Sequence, residues 1–346
     1  MAPTADQVTT ALGGVLDPEI KKPITDLGMV ESVVVREDGV VAVRVLLTVA
    51  GCPMKDTLRR GGVAEKEIPF SRPDSLTKVF AIASGKGGVG KSSVTVNLAV
   101  AMARQGLSVG VLDADIYGHS VPAMFGVADE RPTAVDDMIM PVPAHGVKVI
   151  SIGMLKPKRD QVVAWRGPIL DRALVQMLAD VYWGDLDVLL LDLPPGTGDI
   201  AISVGQRLTS AEVIVVTTPQ EAAAEVAERA GTMAQMVHQR VAGVVENMSY
   251  LPCPHCGPEH RIEIFGTGGG TRVAETLSAR LGYQIPLLGE IPLDERLRSG
   301  GDLGQPLTAA DPDTPAAQML NKIAQTLGGK PRGLLGRQLG LSPAGR

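Results

Sequence analysis

Residues 85–92 read Gly-Lys-Gly-Gly-Val-Gly-Lys-Ser, which fits the phosphate-loop pattern G-x-x-x-x-G-K-[ST]. An apolar strand candidate at 79–83 precedes this loop, and a helix candidate at 92–104 follows it. Backbone N–H groups of such a loop and the helix N-terminus bind phosphate, so the sequence predicts a nucleotide site. We expect Lys91 to reach the β- and γ-phosphates and the Ser92 hydroxyl to bind Mg²⁺. The predicted nucleotide contacts are Gly85, Lys86, Gly87, Gly88, Val89, Gly90, Lys91, Ser92 and Ser93.

Apolar and amphipathic segments alternate along the chain from Lys78 onwards. The apolar segments are continuous, as in strands that are buried on both faces of a sheet. Their alternation with helices predicts an α/β fold with a doubly wound, mostly parallel sheet of the P-loop NTPase type. The strand candidates are residues 79–83, 108–113, 147–152, 188–193, 213–217, 241–247 and 286–290. The helix candidates are residues 92–104, 170–182, 221–240, 272–281 and 316–327.

Acidic residues follow two of the predicted strands. Asp113-Ala114-Asp115 closes the strand at 108–113, and Leu189-Leu190-Leu191-Asp192 is a Walker B pattern, whose carboxylate holds Mg²⁺. Ligands of open α/β sheets bind at the carboxyl ends of strands, so both stretches belong to the predicted nucleotide site. The loop at 194–198 is expected to respond to the γ-phosphate, as GTPase switches do. Lys86 is either a solvated charge or a second cation for phosphates, including those of a neighbouring subunit.

A C-x-x-C pair, Cys253 and Cys256, lies in the sequence Leu-Pro-Cys-Pro-His-Cys-Gly-Pro at 251–258. Such a pair can direct two thiolates to one metal ion or cluster, and zinc and [4Fe–4S] sites commonly use four sulfur ligands. The simplest completion is a symmetric dimer in which each chain supplies both cysteines. Three other interpretations remain open at this point: a zinc site completed by His255 and His260, a redox dithiol, and an unligated pair.

Composition narrows the class of protein. Lys and Arg number 33 and Asp and Glu 38, which gives a formal net charge of −5, and aromatic residues make up only 3%. Neither the charge nor the aromatic content is typical of nucleic-acid binding. No apolar run reaches the ~18 residues of a membrane span, and the N-terminus has no secretory pattern. We therefore expect a cytoplasmic protein that binds neither nucleic acid nor membrane.

The N-terminal segment has a different pattern. A helix is predicted at 5–16, and β-branched runs at 30–36 and 40–49 flank an Asp38-Gly39 hairpin turn. The predicted organisation is a small α+β domain at 1–62, a linker at 63–77, a P-loop ATPase domain carrying the cysteine pair at 78–329, and a flexible tail at 330–346.

These motifs together resemble a known family. The loop with Lys86 in its second position looks like the deviant Walker A motif of the MinD/ParA/nitrogenase-iron-protein class. Within that class, four segments are similar to the Mrp/ApbC family of iron–sulfur cluster carrier ATPases, and the resemblance covers about residues 78–328. These segments are residues 113–118, 165–168, 192–199 and 253–256.

The resemblance implies an ATP-binding homodimer with a [4Fe–4S] cluster bridged by Cys253 and Cys256 of both chains. It implies partners as well, namely a cluster assembly scaffold and apo-protein clients, with slow ATP hydrolysis acting as a dimer switch. Lys86 would act across the dimer, Asp115 would orient the attacking water, and Asn247 would contact adenine. The implied catalytic residues are Lys86, Lys91, Asp115 and Asp192, and the implied magnesium ligands are Ser92 and Asp192.

The N-terminal segment resembles the small SufT/PaaD-like domain found ahead of many Mrp proteins, through residues 17–20, 27–30 and 48–53. The chain departs from that pattern because Gly61-Gly62 follows soon after Pro53, where the family continues with a helix and a strand. We therefore expect an incomplete domain. Cys52 is interpreted either as a transient cluster ligand or as a small core residue.

Two other functions stay open at this stage. A positioning ATPase of the MinD/ParA kind would share the P-loop, although the tail at 333–341 contains glycines that weaken a membrane-binding helix. A zinc-linked, nucleotide-dependent scaffold would share the cysteine pair. The second glycine run at 266–270 is interpreted as a turn rather than another nucleotide site.

Overall fold

The computed structural model describes residues 4–15, 23–26, 30–35, 41–45, 67–115, 118, 120–136, 138–155 and 167–329. The chain divides into two compact units, Met1–Lys66 and Glu67–Arg346. Several predicted features lie outside the described residues: the Asp38-Gly39 turn, Cys52, Gly61-Gly62, Trp165-Arg166 and the tail at 330–346. The predicted domain boundaries stay predictions.

The smaller unit contains helix α1 (Ala5–Leu12) and the antiparallel strands β1 (Val30–Val35) and β2 (Val41–Val45). A capping box begins the helix, since the Thr4 hydroxyl accepts from the Gln7 N–H and the Gln7 side chain accepts from the Thr4 N–H. The helix is shorter than the predicted 5–16 because its C-cap falls at Gly13.

The described strands of the larger unit are β3 (Lys78–Ser84), β4 (Val109–Asp113), β5 (Thr133–Val135), β6 (Met138–Met140), β7 (Val142–Ala144), β8 (Val147–Ser151), β9 (Val188–Asp192), β10 (Glu212–Thr217), β11 (Arg240–Asn247), β12 (Leu251–Cys253), β13 (Gly257–Ile262) and β14 (Leu287–Ile291). Separate antiparallel hairpins are formed by β5 with β6 and by β12 with β13. The other strands form one mostly parallel sheet of order β14-β11-β10-β3-β9-β4-β8-β7, in which β7 and β8 pair antiparallel.

Helices cover both faces of this sheet. They are α2 (Lys91–Arg104), α3 (Val121–Met124), α4 (Gly167–Ala179), α5 (Asp199–Arg207), α6 (Glu221–Met236), α7 (Gly269–Leu281), α8 (Glu295–Leu303), α9 (Leu307–Ala310) and α10 (Pro315–Gly328). Short 3-10 turns occupy Pro69–Ser71 and Ile152–Leu155. The predicted doubly wound α/β fold is confirmed.

Two predicted helices of the larger unit end earlier than expected. The helix predicted at 170–182 spans Gly167–Ala179, because Val181 bridges Ile139 and draws the chain into an extended path. The helix predicted at 221–240 ends at Met236, because His238 adopts a left-handed φ of 61° before β11 begins. Both corrections concern the point where a helix gives way to a strand.

The core forms two layers, one on each side of the sheet. Along β9, Leu189 and Leu191 face one layer, whereas Val188 and Leu190 face the other. All four side chains are fully buried, which explains the unbroken apolar sequence of this strand.

The chain just before β3 contributes to the first of these layers. Ile68 and Phe70 are buried there, and the Phe70 ring meets Trp183 at a centroid distance of 6.3 Å. The described part of the predicted linker therefore packs within the larger unit from Glu67 onwards. Among the described helices, none is long and apolar enough to cross a membrane.

Candidate nucleotide and metal-cluster site

The glycine-rich loop connects β3 to α2 and has the backbone that its glycines predict. Gly88 and Gly90 have φ values of 82° and 78°, a region that favours glycine. A Cβ on Gly90 would lie 2.3 Å from Nδ2 of Asn247, so a larger residue at this position would have to displace the Asn247 amide. The N-terminus of α2 begins directly after Gly90, where it can meet a phosphate.

Lys91, Ser92 and Asp192 meet at the start of α2. The Lys91 Nζ lies 2.8 Å from Oδ1 of Asp192, and both side chains are buried. The Ser92 hydroxyl donates to Oδ2 of Asp192 at 2.6 Å. The structure thus brings together the predicted phosphate-binding lysine and the two predicted magnesium ligands. A hydroxyl and a carboxylate are hard oxygen donors, which suits Mg²⁺.

Thr95 is a member of this cluster that the sequence did not reveal. Its hydroxyl donates to Oδ1 of Asp192 at 2.7 Å, in addition to its contact with the carbonyl of Lys91 at 3.0 Å. Thr95 is fully buried and lies one helical turn after Lys91. Thr95 follows Lys91 by four residues and therefore lies on the same face of the helix, which is the sequence signal that could have identified it. Ser93, also predicted to contact nucleotide, lies in the first turn of α2, and its carbonyl accepts from the Asn97 amide at 2.9 Å.

Two aspartates at the end of β4 have distinct positions. Asp113 pairs in register with Asp192 on β9, and its carboxylate accepts from the Ser151 hydroxyl and the Asp115 N–H, each at 3.0 Å. Burial, followed by the neighbouring charge of Asp192, raises the pKa of Asp113 well above its usual range. The Asp115 carboxylate in turn accepts from the Gly118 N–H at 2.9 Å. Asp113 therefore orients the loop that carries Asp115.

Lys86 lies against its own chain. Its Nζ donates to Oε1 of Gln220 at 3.2 Å, immediately before helix α6. The predicted role of Lys86 across a dimer stays a prediction.

Asn247, at the end of β11, contacts the P-loop directly. Its Nδ2 donates to the Val89 carbonyl at 2.9 Å. Its Oδ1 is buried and accepts no hydrogen bond from the described residues. The predicted adenine contact of Asn247 also stays a prediction.

The second glycine run, at 266–270, leads into helix α7. The groups that meet the N-terminus of this helix come from the protein itself. The Gly270 N–H donates to the buried carboxylate of Glu246 at 2.5 Å, which places a negative charge at the helix N-terminus. A Cβ on Gly269 would lie 2.7 Å from the carbonyls of Thr218 and Pro219. This run is therefore a close-packed helix start.

The cysteine pair lies on the hairpin of β12 and β13. Cys253 is buried, Cys256 is exposed, and both thiols are free. The Cys256 N–H donates to the Cys253 sulfur at 3.3 Å. This bond, and then the one from the His255 N–H, lowers the pKa of the Cys253 thiol. Both bonds favour the thiolate, which is the form that binds metal.

Among the residues that the structure describes, the chain does not form the alternative zinc site in which histidines join the two cysteines. His255 and His260 are exposed. Within the described residues, no three His, Cys, Asp or Glu side chains lie close enough to hold one metal ion. The hairpin thus presents two free thiols, those of Cys253 and Cys256.

A contact on the hairpin fixes it to the main sheet. The Arg261 guanidinium covers the Tyr250 ring at 4.1 Å from the ring centroid and lies 3.2 Å from Oε2 of Glu290 on β14. Arg261 could not be predicted from the sequence, since a single arginine on a short strand carries no motif. The exposed side chains of Ile262 and Ile264 continue beyond it.

Comparison with known families agrees with this site. The family model described as NUBPL iron-transfer P-loop NTPase matches residues 75–328, and a second model, described as iron-sulfur cluster assembly protein, matches residues 5–65. The chain belongs to the family of NUBPL iron-transfer P-loop NTPases. The predicted resemblance to the Mrp/ApbC carriers is confirmed at the family level, and so is the P-loop NTPase class.

Two of the relatives match nearly the whole chain, and a solved structure matches the larger part of it. An iron-sulfur cluster carrier protein of Mycobacterium bovis is 53% identical over 98% of this chain and 97% of its own length. A protein with the same description from Deinococcus radiodurans is 43% identical over 94% and 95%. A nucleotide-binding protein from Archaeoglobus fulgidus, solved with ADP, is 39% identical with a TM-score of 0.59 over 70% of this chain and 93% of that one.

Proposed function

We propose that the protein is an ATP-dependent carrier that binds an iron–sulfur cluster and transfers it to apo-proteins. The observation that carries this proposal is the presence, in one domain, of an assembled P-loop and a hairpin with two free thiols, joined by residues 247–253. The description of the relatives as iron-sulfur cluster carrier proteins supports the same function.

The nucleotide half of the function rests on the P-loop cluster. Its backbone N–H groups and Lys91 would hold the ATP phosphates, and Ser92 and Asp192 would hold Mg²⁺, which neutralises charge on the β- and γ-phosphates. Asp115 would orient the water that attacks the γ-phosphorus as the bond to the ADP oxygen breaks. Lys86 would stabilise the developing charge from the neighbouring chain. Hydrolysis in such a protein is a slow switch of the dimer.

The cargo half rests on the cysteine hairpin. A [4Fe–4S] cluster commonly takes four thiolates, and each chain supplies Cys253 and Cys256, so a homodimer with the cluster at its two-fold axis satisfies the cluster. We propose a cluster assembly scaffold as the donor, apo iron–sulfur proteins as acceptors and the cytoplasm as the location.

Transfer to an apo-enzyme tests this function. The protein is loaded anaerobically with iron and sulfide and mixed with apo-aconitase, whose activity returns only with a [4Fe–4S] cluster. The wild-type protein should restore activity, and the Cys253→Ala/Cys256→Ala protein should not, although it should still bind ATP. His260→Ala, on the same hairpin and exposed, is the matched control and should transfer like the wild type. Equal transfer by the double cysteine variant would refute the proposal.

A further inference from the structure

Two neighbouring side chains connect the P-loop to the segment that leads to the first cysteine. A Cβ built on Gly90 would lie 2.3 Å from Nδ2 of Asn247 and 3.5 Å from Cε of Met248. Asn247 also donates to the carbonyl of Val89 at 2.9 Å. Residues 247 and 248 therefore both lie against the nucleotide-binding loop.

Beyond Met248 the chain is fixed to a different part of the sheet. The Ser249 N–H donates to the carbonyl of Ile291 at 3.0 Å, at the end of β14. The Leu293 N–H donates to the carbonyl of Tyr250 at 2.7 Å. Strand β12, which ends in Cys253, follows directly. Met248 thus lies between the P-loop contact and the anchored base of the cysteine hairpin.

The backbone of Met248 is in an unusual conformation at this junction. Its φ is 57°, in the left-handed region that L residues with long side chains seldom adopt. Such a conformation costs energy and persists because surrounding contacts hold it. The Cε of Met248 lies beside Gly90, at 3.5 Å from where a Cβ of that residue would stand. A bound phosphate can shift Gly90, because Gly90 belongs to the loop that surrounds phosphate.

We propose that Met248 is a positioning residue that couples the P-loop to the cysteine hairpin. Nucleotide sets the position of Gly90, Gly90 sets the conformation of Met248, and Met248 sets the direction in which residues 249–253 leave the sheet. Coupling requires an element with two arrangements. Here the two arrangements are the left-handed backbone conformation of Met248 and a relaxed conformation of the same residue. The inference rests on the proposed function only in taking nucleotide as the signal and the thiols as the responding group.

Thiol reactivity in the cluster-free protein tests this coupling. The exposed Cys256 is modified with a maleimide, with and without Mg-ATP, and its labelled peptide is followed by mass spectrometry so that the other cysteines do not interfere. In the wild type, ATP should change the labelling rate of Cys256 by about fivefold or more, the lower end of ordinary allosteric coupling.

Two variants separate the backbone from the side chain. Met248→Gly adopts the left-handed region without cost and lacks the side chain that lies beside Gly90, whereas Met248→Ala lacks most of that side chain but keeps the backbone cost. In both proteins the labelling rates with and without ATP should be about equal, so that their ratio is about one, while ATP binding is retained. His238→Gly is the matched control, because His238 is exposed, has a φ of 61° and lies in the turn before β11. It should keep the wild-type ratio.

The outcomes are separable from those of the proposed function. A wild-type ratio of one, or an undiminished ratio in either Met248 variant, would overturn the coupling. Should Met248→Gly lose ATP binding or fail to fold, Met248→Ala gives the decision in the same assay. The test uses no cluster, so a protein that failed to carry iron and sulfide would refute the carrier function without affecting this result.

Discussion

At the scale of single residues, the nucleotide site places two carboxylates side by side in the interior. Asp113 and Asp192 are register partners on neighbouring strands, and both are fully buried. Lys91 forms an ion pair with Asp192, whereas Asp113 accepts hydrogen bonds from Ser151 and from the Asp115 backbone. Burial and then the neighbouring charge of Asp192 raise the pKa of Asp113, so Asp113 keeps a proton to higher pH than an ordinary aspartate. Its role is to hold the Asp115 loop.

Asp113→Asn should stabilise the larger unit at alkaline pH. The folded-state pKa of Asp113 is raised, so the folded protein loses stability as pH rises above the ordinary Asp value, while the asparagine protein lacks this loss. The melting temperature at pH 8 should rise by about 2–4 °C, the shift that 1 kcal/mol gives in a large domain. Calorimetry between pH 5 and pH 8 checks this, and the melting temperatures of the two proteins should converge towards acidic pH. A constant difference at every pH would argue against the raised pKa.

Gly90→Ala should destabilise the protein even without nucleotide. The substitution puts a Cβ in the left-handed region and 2.3 Å from Nδ2 of Asn247. We expect a loss of about 2 kcal/mol in the free energy of unfolding, measured by denaturant titration. Gly87→Ala is the control, because a Cβ there meets no atom within 4 Å, and it should change stability by less than about 0.5 kcal/mol. Equal losses in the two proteins would contradict the close approach of Asn247.

At the scale of elements, the cysteine hairpin needs support from outside itself. Among the described strands, β12 and β13 pair only with each other, and an isolated two-stranded hairpin is marginal in water. Arg261 supplies one such support by covering Tyr250 and pairing with Glu290 on the main sheet. The geometry of the thiols therefore depends on residues that touch no cluster.

Arg261→Ala should loosen the hairpin and release a bound cluster faster. Loss of an exposed cation–π contact and an ion pair costs about 1 kcal/mol together, which corresponds to about a fivefold faster iron loss to a chelator. Absorption of the loaded protein after addition of bathophenanthroline measures this rate. The control is Arg298→Ala, which removes an exposed ion pair with Asp302 on helix α8. Unchanged release in the Arg261 variant would show that the hairpin is held in another way.

The predictable elements were the long ones. The strand at 188–193 and the helix at 92–104 carry enough apolar residues for their period to be recognised, and both are confirmed with small changes in their ends. Hairpin β5–β6 and helix α9 were not predicted, because three or four residues are too few to establish a period. The end of helix α4 depended on a bridge between Val181 and Ile139, which is a tertiary contact that the local sequence cannot reveal.

The residues of the site were likewise predictable only where a sequence motif includes them. Lys91, Ser92 and Asp192 were predicted from motifs and lie together, because the fold brings the carboxyl ends of parallel strands to one edge. Thr95 and Met248 carry no motif, and their importance depends on contacts that only the folded chain makes. The sequence also left the ligand set of the cysteine pair open, and among the described residues no third His, Cys, Asp or Glu joins the two thiols.

At the scale of the whole molecule, the proposed function requires two copies of the chain. Lys86 contacts Gln220 of its own chain at 3.2 Å, and in the proposed dimer it would leave this contact for the neighbouring nucleotide. The two-thiol hairpin has the same requirement, because in the proposed dimer the four thiolates would come from two chains. The nucleotide site and the cluster site would thus be completed by the same association.

Mixed dimers test the action of Lys86 across chains. Lys86→Ala and Asp115→Ala should each abolish ATP hydrolysis alone. In a mixed dimer, the Lys86→Ala chain retains Asp115 and would receive Lys86 from the other chain, so one of the two sites is complete. An equal mixture should recover about a quarter of the wild-type rate, because half of randomly paired dimers are mixed. No recovery on mixing, with mixed dimers detected by mass, would place Lys86 in its own chain's site.

Native mass spectrometry of the anaerobically reconstituted protein, with iron, sulfide and zinc assayed on the same sample, examines the cluster-carrying dimer most directly. We predict a dimer that holds about four irons and about four acid-labile sulfides, and that reverts to metal-free protein in the Cys253→Ala/Cys256→Ala variant. A dimer with about one zinc and no sulfide, or a monomer that keeps a full cluster, would contradict a cluster shared between two chains.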